Sequence, residues 1–266
     1  MKNKGILRIV GIGPGDSAQM SLRACAAIKE AEVVIGYKTY LQCIRNLAAG
    51  KNVFSTGMAR EKERAEFAIS EAKKGKNVCL ISSGDAGVFG MAGLVFEILS
   101  KPRPFYNKVI HRGKKGRGKD DSNKIAIEVV PGIMALNSCA SLIGAPLMND
   151  FALISLSDLL TGRALILRRL KAAIKGDFVI VFYNPKSQKR TQLIKQAWKI
   201  LMEHRAAATP VGIVRNGFRQ NQEVTLTTLK DMLKAAVIDM RTTIIIGNSK
   251  TYCHNGRIIT PRGYEL

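Results

Sequence analysis

Two short apolar runs in this chain each stop at a glycine-rich turn, and no other feature constrains the fold as strongly. The first turn reads Val10-Gly11-Ile12-Gly13-Pro14-Gly15-Asp16 and the second Leu80-Ile81-Ser82-Ser83-Gly84-Asp85-Ala86-Gly87-Val88-Phe89-Gly90. A glycine has no Cβ, so another group can come up to its backbone. Two such turns point to one ligand site at the carboxyl ends of parallel strands. The spacing argues against a dinucleotide, whose fingerprint needs Gly-x-Gly-x-x-Gly with free amides facing a pyrophosphate. Here Asp16 stands at the third position and Pro14 removes a donor. The first turn suits a ligand without phosphates, or serves only as a tight strand-to-helix connection.

Periodicity along the chain alternates between the two element types. Strand signals fall at 6–12, 32–36, 77–82, 125–130, 151–156, 177–183, 209–214, 222–226 and 242–247. Helix signals fall at 17–31, with Ser17 as cap, and at 60–74, 90–100, 133–143, 161–174, 187–204 and 228–236. The alternation predicts an α/β protein with a mostly parallel N-terminal sheet and a mixed C-terminal sheet. We expect two domains, 1–131 and 132–266.

Bulk properties narrow the class. The chain of 266 residues is 46% hydrophobic, which is globular rather than disordered. No apolar run is long enough to span a membrane, and Arg8 interrupts the first one, so neither membrane insertion nor export is expected. Five scattered cysteines (Cys25, Cys43, Cys79, Cys139, Cys253) argue for a reducing compartment, hence a cytoplasmic location. His111, His204 and His254 are isolated, so no metal site is expected. The net charge of +22 attracts polyanions. Nine Lys/Arg and two Asp lie within 101–124, which reads as an exposed basic loop. Nucleic acid is disfavoured as a partner, because aromatics are only 6% and no stacking motif is present.

Four motifs occur in order: Val10 to Asp16, Ser83-Gly84-Asp85-Ala86-Gly87-Val88-Phe89-Gly90, Pro131-Gly132-Ile133-Met134-Ala135 and Thr209-Pro210-Val211-Gly212-Ile213-Val214. Together they resemble the tetrapyrrole (corrin/porphyrin) methyltransferase family. The run from Gly144 to Asp158 and Phe182-Tyr183-Asn184-Pro185-Lys186-Ser187 resemble the branch that methylates carbon 17 of precorrin-3B or cobalt-factor III in cobalamin biosynthesis. Gly36-Tyr37-Lys38-Thr39-Tyr40-Leu41 and Ser55-Thr56-Gly57-Met58 agree with that branch. Two positions depart from the family, which often has Pro where Ala86 stands and Ser or Thr where Met134 stands.

The resemblance implies the tetrapyrrole methylase fold, S-adenosylmethionine as cofactor in an interdomain cleft, an anionic tetrapyrrole substrate and a homodimer. It implies that Pro14 lines the cofactor pocket and that Gly84, Asp85, Ala86 and Val88 meet the amino-acid and ribose part. Met134, Ala135, Asn184 and Gly212 complete that implied set. S-adenosylmethionine has no phosphate, which agrees with Pro14 and Asp16 in the turn. Ring contraction coupled to methylation calls for proton transfer, with Ser82, Ser83, Asp150, Ser157 and Asp158 as candidates. Asp85 could instead be a helix cap, and each of the others a cap or turn residue.

Overall fold

A computed structural model describes residues 5–57, 59–100 and 125–265. The basic segment 101–124, His111 and Met58 lie outside them. The chain divides into two compact units, Met1–Met134 and Ala135–Leu266.

The first unit is built on five strands: β1 (Ile6–Gly11), β2 (Val33–Tyr37), β3 (Asn52–Thr56), β4 (Asn77–Ser82) and β5 (Ala126–Val130). Their order is β3-β2-β4-β1-β5, and every pairing is parallel. Side chains alternate across the sheet, as the strand period requires. Val10, Val34, Cys79 and Ile81 pack with Ala24, Ala27 and Ile28 of α1 (Leu22–Glu30) and Leu41 of α2 (Lys38–Cys43). Leu7, Ile9, Ile35 and Leu80 pack with Ala65, Ala68 and Ala72 of α3 (Glu61–Lys73) and Val95 of α4 (Met91–Ser100). Burial on both faces explains why β4 reads as a continuous apolar run from Val78 to Ile81, and β1 as one broken only by Arg8.

The first helix does not start at Ser17. Asp16 accepts the Ala18 amide at 2.9 Å and caps a single 3-10 turn, Ser17–Gln19. Ser21 then accepts from Ala24 at 3.1 Å and starts α1. Neither α2 nor β3 shows in the sequence pattern: α2 is under two turns long, and β3 is an edge strand with Asn52 and Val53 exposed.

The second unit opens with α5 (Ala135–Ile143) and the two-residue β6 (Gly144–Ala145). Its main sheet holds β7 (Phe151–Ser155), β8 (Val179–Tyr183), β9 (Pro210–Arg215), β10 (Glu223–Thr228) and β11 (Thr242–Ile246), in the order β10-β9-β11-β8-β7. Only β7 and β8 run parallel, so the sheet is mixed. On one face α6 (Arg163–Lys175) and α7 (Gln192–His204) bury Ile166, Leu170, Leu193 and Ala197. On the other, Ile143 of α5 lies against Gly212. β12 (Tyr252–His254) and β13 (Arg257–Ile259) join β6 in a small third sheet.

The helix expected at 228–236 is absent. Thr228 pairs with Pro210 as the last residue of β10, and residues 229–234 form turns. Leu229 and Met232 are buried, so the apolar spacing that suggested a helix is used by turns instead. Among the described residues, no helix is long and apolar enough to cross a membrane.

Candidate functional site

In the first unit, β1 feeds α1 on one face of the sheet and β4 feeds α4 on the other. Adjacent parallel strands whose connections leave in opposite directions open a crevice at their carboxyl ends, where such sheets bind ligands. Both glycine turns lie there. Ile12 donates to the Ser82 carbonyl at 3.0 Å, and Gly13 and Gly84 then exchange two backbone hydrogen bonds, 3.1 and 2.8 Å. Both glycines have positive φ, +70° and +65°.

Gly11 and Gly132 are required by backbone packing. A Cβ on Gly11 would lie 2.7 Å from the Gly84 carbonyl oxygen, and one on Gly132 only 2.2 Å from the same atom. The ends of β1, β4 and β5 therefore meet backbone to backbone. Asp85 locks this junction. One carboxylate oxygen accepts the amides of Gly87 (2.7 Å) and Val88 (3.0 Å), and the other accepts the amide of Gly132 (3.0 Å). Three of a carboxylate's roughly four acceptor positions are thus occupied. Asp85 acts here as a turn and cross-strand clasp. Pro14, Gly84 and Ala86 are buried, whereas Gly87, Val88 and Phe89 are exposed on the rim. Ser82 is buried, with its hydroxyl 3.5 Å from the Asp85 carbonyl, and Ser83 is half-buried.

The donor set bears on the cofactor. The Gly13 and Gly84 amides are already bonded, Pro14 has none, and Asp85 is an anion. Such a turn is poorly suited to cradle a pyrophosphate, which agrees with a phosphate-free ligand.

In the second unit, candidates gather at the carboxyl ends of β7 and β8. Asn184 adopts φ +51° and donates from Nδ2 to the Ser155 hydroxyl at 3.1 Å, and the Ser157 amide donates to that same oxygen at 3.3 Å. Arg190 donates to the Leu156 carbonyl at 2.8 Å. The Asp158 carboxylate meets Arg163 at 2.5 Å and Arg190 at 3.9 Å. The Arg163 hydrogen bond holds Asp158 below the usual carboxylate range, so it stays ionised near neutral pH. As placed, it is an ion-pair anchor for the loop and a poor proton donor.

Two candidates fall elsewhere. Asp150 precedes β7, about 17 Å of strand away from Ser157 and Asp158. The run 150–158 crosses the sheet from end to end, so its two aspartates cannot act on one group. Gly212 sits in the middle of β9, where a Cβ would lie 2.3 Å from Cδ1 of Ile143. Its lack of a side chain admits Ile143 of α5. Ser155 and Arg190 escape the sequence reading, because their roles depend on which strand ends lie side by side.

The fold is that of an α/β protein with a parallel sheet in its first unit and a mixed sheet in its second. The chain matches the family model of the Tetrapyrrole (Corrin/Porphyrin) Methylases over residues 7–111 and 118–233, and it belongs to that family. It is 48% identical over 263 residues to the cobalt-factor III methyltransferase of Priestia megaterium, covering 98% of this chain and 46% of that protein. The chain thus spans under half of that relative. It is 44% identical to the probable cobalt-factor III C(17)-methyltransferase of Salmonella typhimurium, covering 98% of this chain and 100% of that one. The crystal structure of the methyltransferase CobJ superposes with a TM-score of 0.83 at 30% identity, covering 97% of this chain and 100% of CobJ.

Proposed function

We propose that the chain transfers a methyl group from S-adenosylmethionine to carbon 17 of a cobalt-factor III or precorrin-3B type ring, with contraction of the macrocycle, in cobalamin biosynthesis. The observation that carries this reading is a phosphate-free glycine crevice on a chain similar along nearly its whole length to cobalt-factor III methyltransferases. S-adenosylmethionine supplies an electrophilic methyl on a sulfonium. The protein's contribution is alignment and exclusion of water. Pro14, Ala86, Val88, Met134 and Ala135 would line the cofactor, and Gly84 would present its backbone. Asn184 would meet it through its left-handed turn. Asp85 would act through the turn it clasps. Ser83 and Ser157 would be the hydroxyls that relay a proton during contraction, ahead of the buried Ser82.

The substrate's acetate and propionate groups suit a protein of net charge +22. The described cysteines are all free, which suits the cytoplasm. We expect a homodimer, which sedimentation would test. The decisive experiment incubates the chain with cobalt-factor III, precorrin-3B and S-adenosylmethionine, and follows product mass and spectrum. One added methyl at carbon 17 with a spectral change is expected. Methylation at another carbon removes the regiochemistry. Transfer to RNA and to no tetrapyrrole overturns the reading. Activity should fall as salt rises, through screening of exposed contacts.

A further inference from the structure

We infer that Tyr183 is a positioning residue that caps α5 from the end of β8 and so holds Met134 and Ala135 in place for the cofactor. The inference rests on the cofactor reading above. The first amides of a helix have no partner within it. The usual remedy is Ser, Thr, Asp or Asn just before the helix, whose side-chain oxygen accepts one of those amides. α5 starts at Ala135, and the preceding residues Pro131, Gly132, Ile133 and Met134 carry no side-chain oxygen. A thioether is only a weak acceptor.

The missing acceptor comes from 47 residues further along. The Tyr183 hydroxyl lies 2.5 Å from the Leu136 amide, the second of α5, and accepts its hydrogen. The ring is half-buried, and burial pushes the phenol's ionisation upward, so it stays neutral. Tyr183 is itself rigidly held. Its carbonyl accepts the Leu156 amide at 2.8 Å, it pairs with Ser155 in the sheet, and Asn184 beside it is bonded to Ser155. The cap is therefore delivered from strand to helix, and it fixes the turn next to the candidate cofactor contacts.

The test uses Tyr183→Phe, Met134→Thr and the double variant, since a threonine at 134 can supply the cap locally. Two readouts are taken: amide hydrogen exchange over residues 135–138 without ligand, and calorimetric binding of S-adenosylhomocysteine. Tyr183→Phe should speed that exchange and weaken binding, each about fivefold, the size of one lost cap. The double variant should regain the slow exchange, and Met134→Thr alone should leave that exchange unchanged; binding is compared only between Tyr183→Phe and the unaltered protein. Unchanged exchange in Tyr183→Phe, or no recovery of exchange in the double variant, overturns the inference. If Tyr183→Phe does not fold, the double variant should fold, and its failure to do so counts equally against the cap. If the unaltered protein does not bind S-adenosylhomocysteine, the cofactor reading fails, while the exchange arm still decides the cap.

Discussion

Gly13 and Gly84 face each other across the ends of two parallel strands and exchange a pair of backbone hydrogen bonds, 3.1 and 2.8 Å long. Parallel neighbours cannot be joined by a tight hairpin. Just past the two strands, Gly13 and Gly84 nonetheless form an antiparallel bridge. Left-handed backbone at both positions makes this possible, +70° at Gly13 and +65° at Gly84. The pairing closes the crevice floor and uses the amides that a phosphate would otherwise take.

Gly132→Ala should be among the most damaging small substitutions. Its Cβ would lie 2.2 Å from the Gly84 oxygen and 2.7 Å from the Gly11 carbonyl carbon, and neither backbone atom can swing aside. A loss of about 2–3 kcal/mol is expected in urea unfolding. Gly93→Ala, inside α4 with nothing within 4 Å of its Cβ, is the control and should gain about 0.5–1 kcal/mol.

Asp85→Asn keeps the shape but replaces one accepting oxygen with an NH₂. That group would face an amide donor, either at Gly132 or at Gly87 and Val88. Stability should drop by about 1–3 kcal/mol. Affinity for S-adenosylhomocysteine should drop with it. An unchanged affinity in folded Asp85→Asn would separate the clasp from the cofactor.

Acid should loosen the edge of the first sheet. Glu128 on β5 accepts two hydrogen bonds from Arg23 (2.5 and 2.6 Å) and one from Arg8 (2.9 Å). Arg23 first, then Arg8, hold its carboxyl below the ordinary value of 4.5 against the opposing effect of burial. A carboxyl with a lowered folded pKa contributes its full stability above its unfolded pKa, and loses it as pH falls through the folded one. The melting temperature should therefore fall below about pH 4.5. In Glu128→Gln it should start lower at pH 7 and fall less steeply over that range.

Asn184→Ala and Asn184→Gly separate backbone from side chain. Both delete the bond to Ser155, but glycine tolerates φ +51° and alanine does not. Alanine should cost about 1 kcal/mol more than glycine in thermal unfolding. Equal losses would show that the side-chain bond alone matters there.

Much was legible from local chemistry. The strands at 77–82 and 151–155, the amphipathic α3 and the glycine turns all follow from short-range pattern, since period and turn type are set by adjacent residues. Family membership was legible too, because it rests on motif order. At 228–236 the local signal misled because a partner distant in the chain takes part. Thr228 went into β10 because Pro210 lies opposite, and the apolar spacing after it was spent on turns.

Roles at the site divide in the same way. The sequence by itself determined that glycines, and a proline in place of an amide donor, stand at the ends of β1 and β4, which argues against a phosphate cradle. Only the tertiary structure decided why the glycines are there and which side chains meet. Gly11 and Gly132 admit the Gly84 carbonyl, Gly212 admits Ile143, Asp150 lies at the wrong end of β7, and Tyr183 reaches Leu136. These relationships join residues many positions apart. Strand order and register bring such residues together, and both are products of global packing that no local pattern encodes.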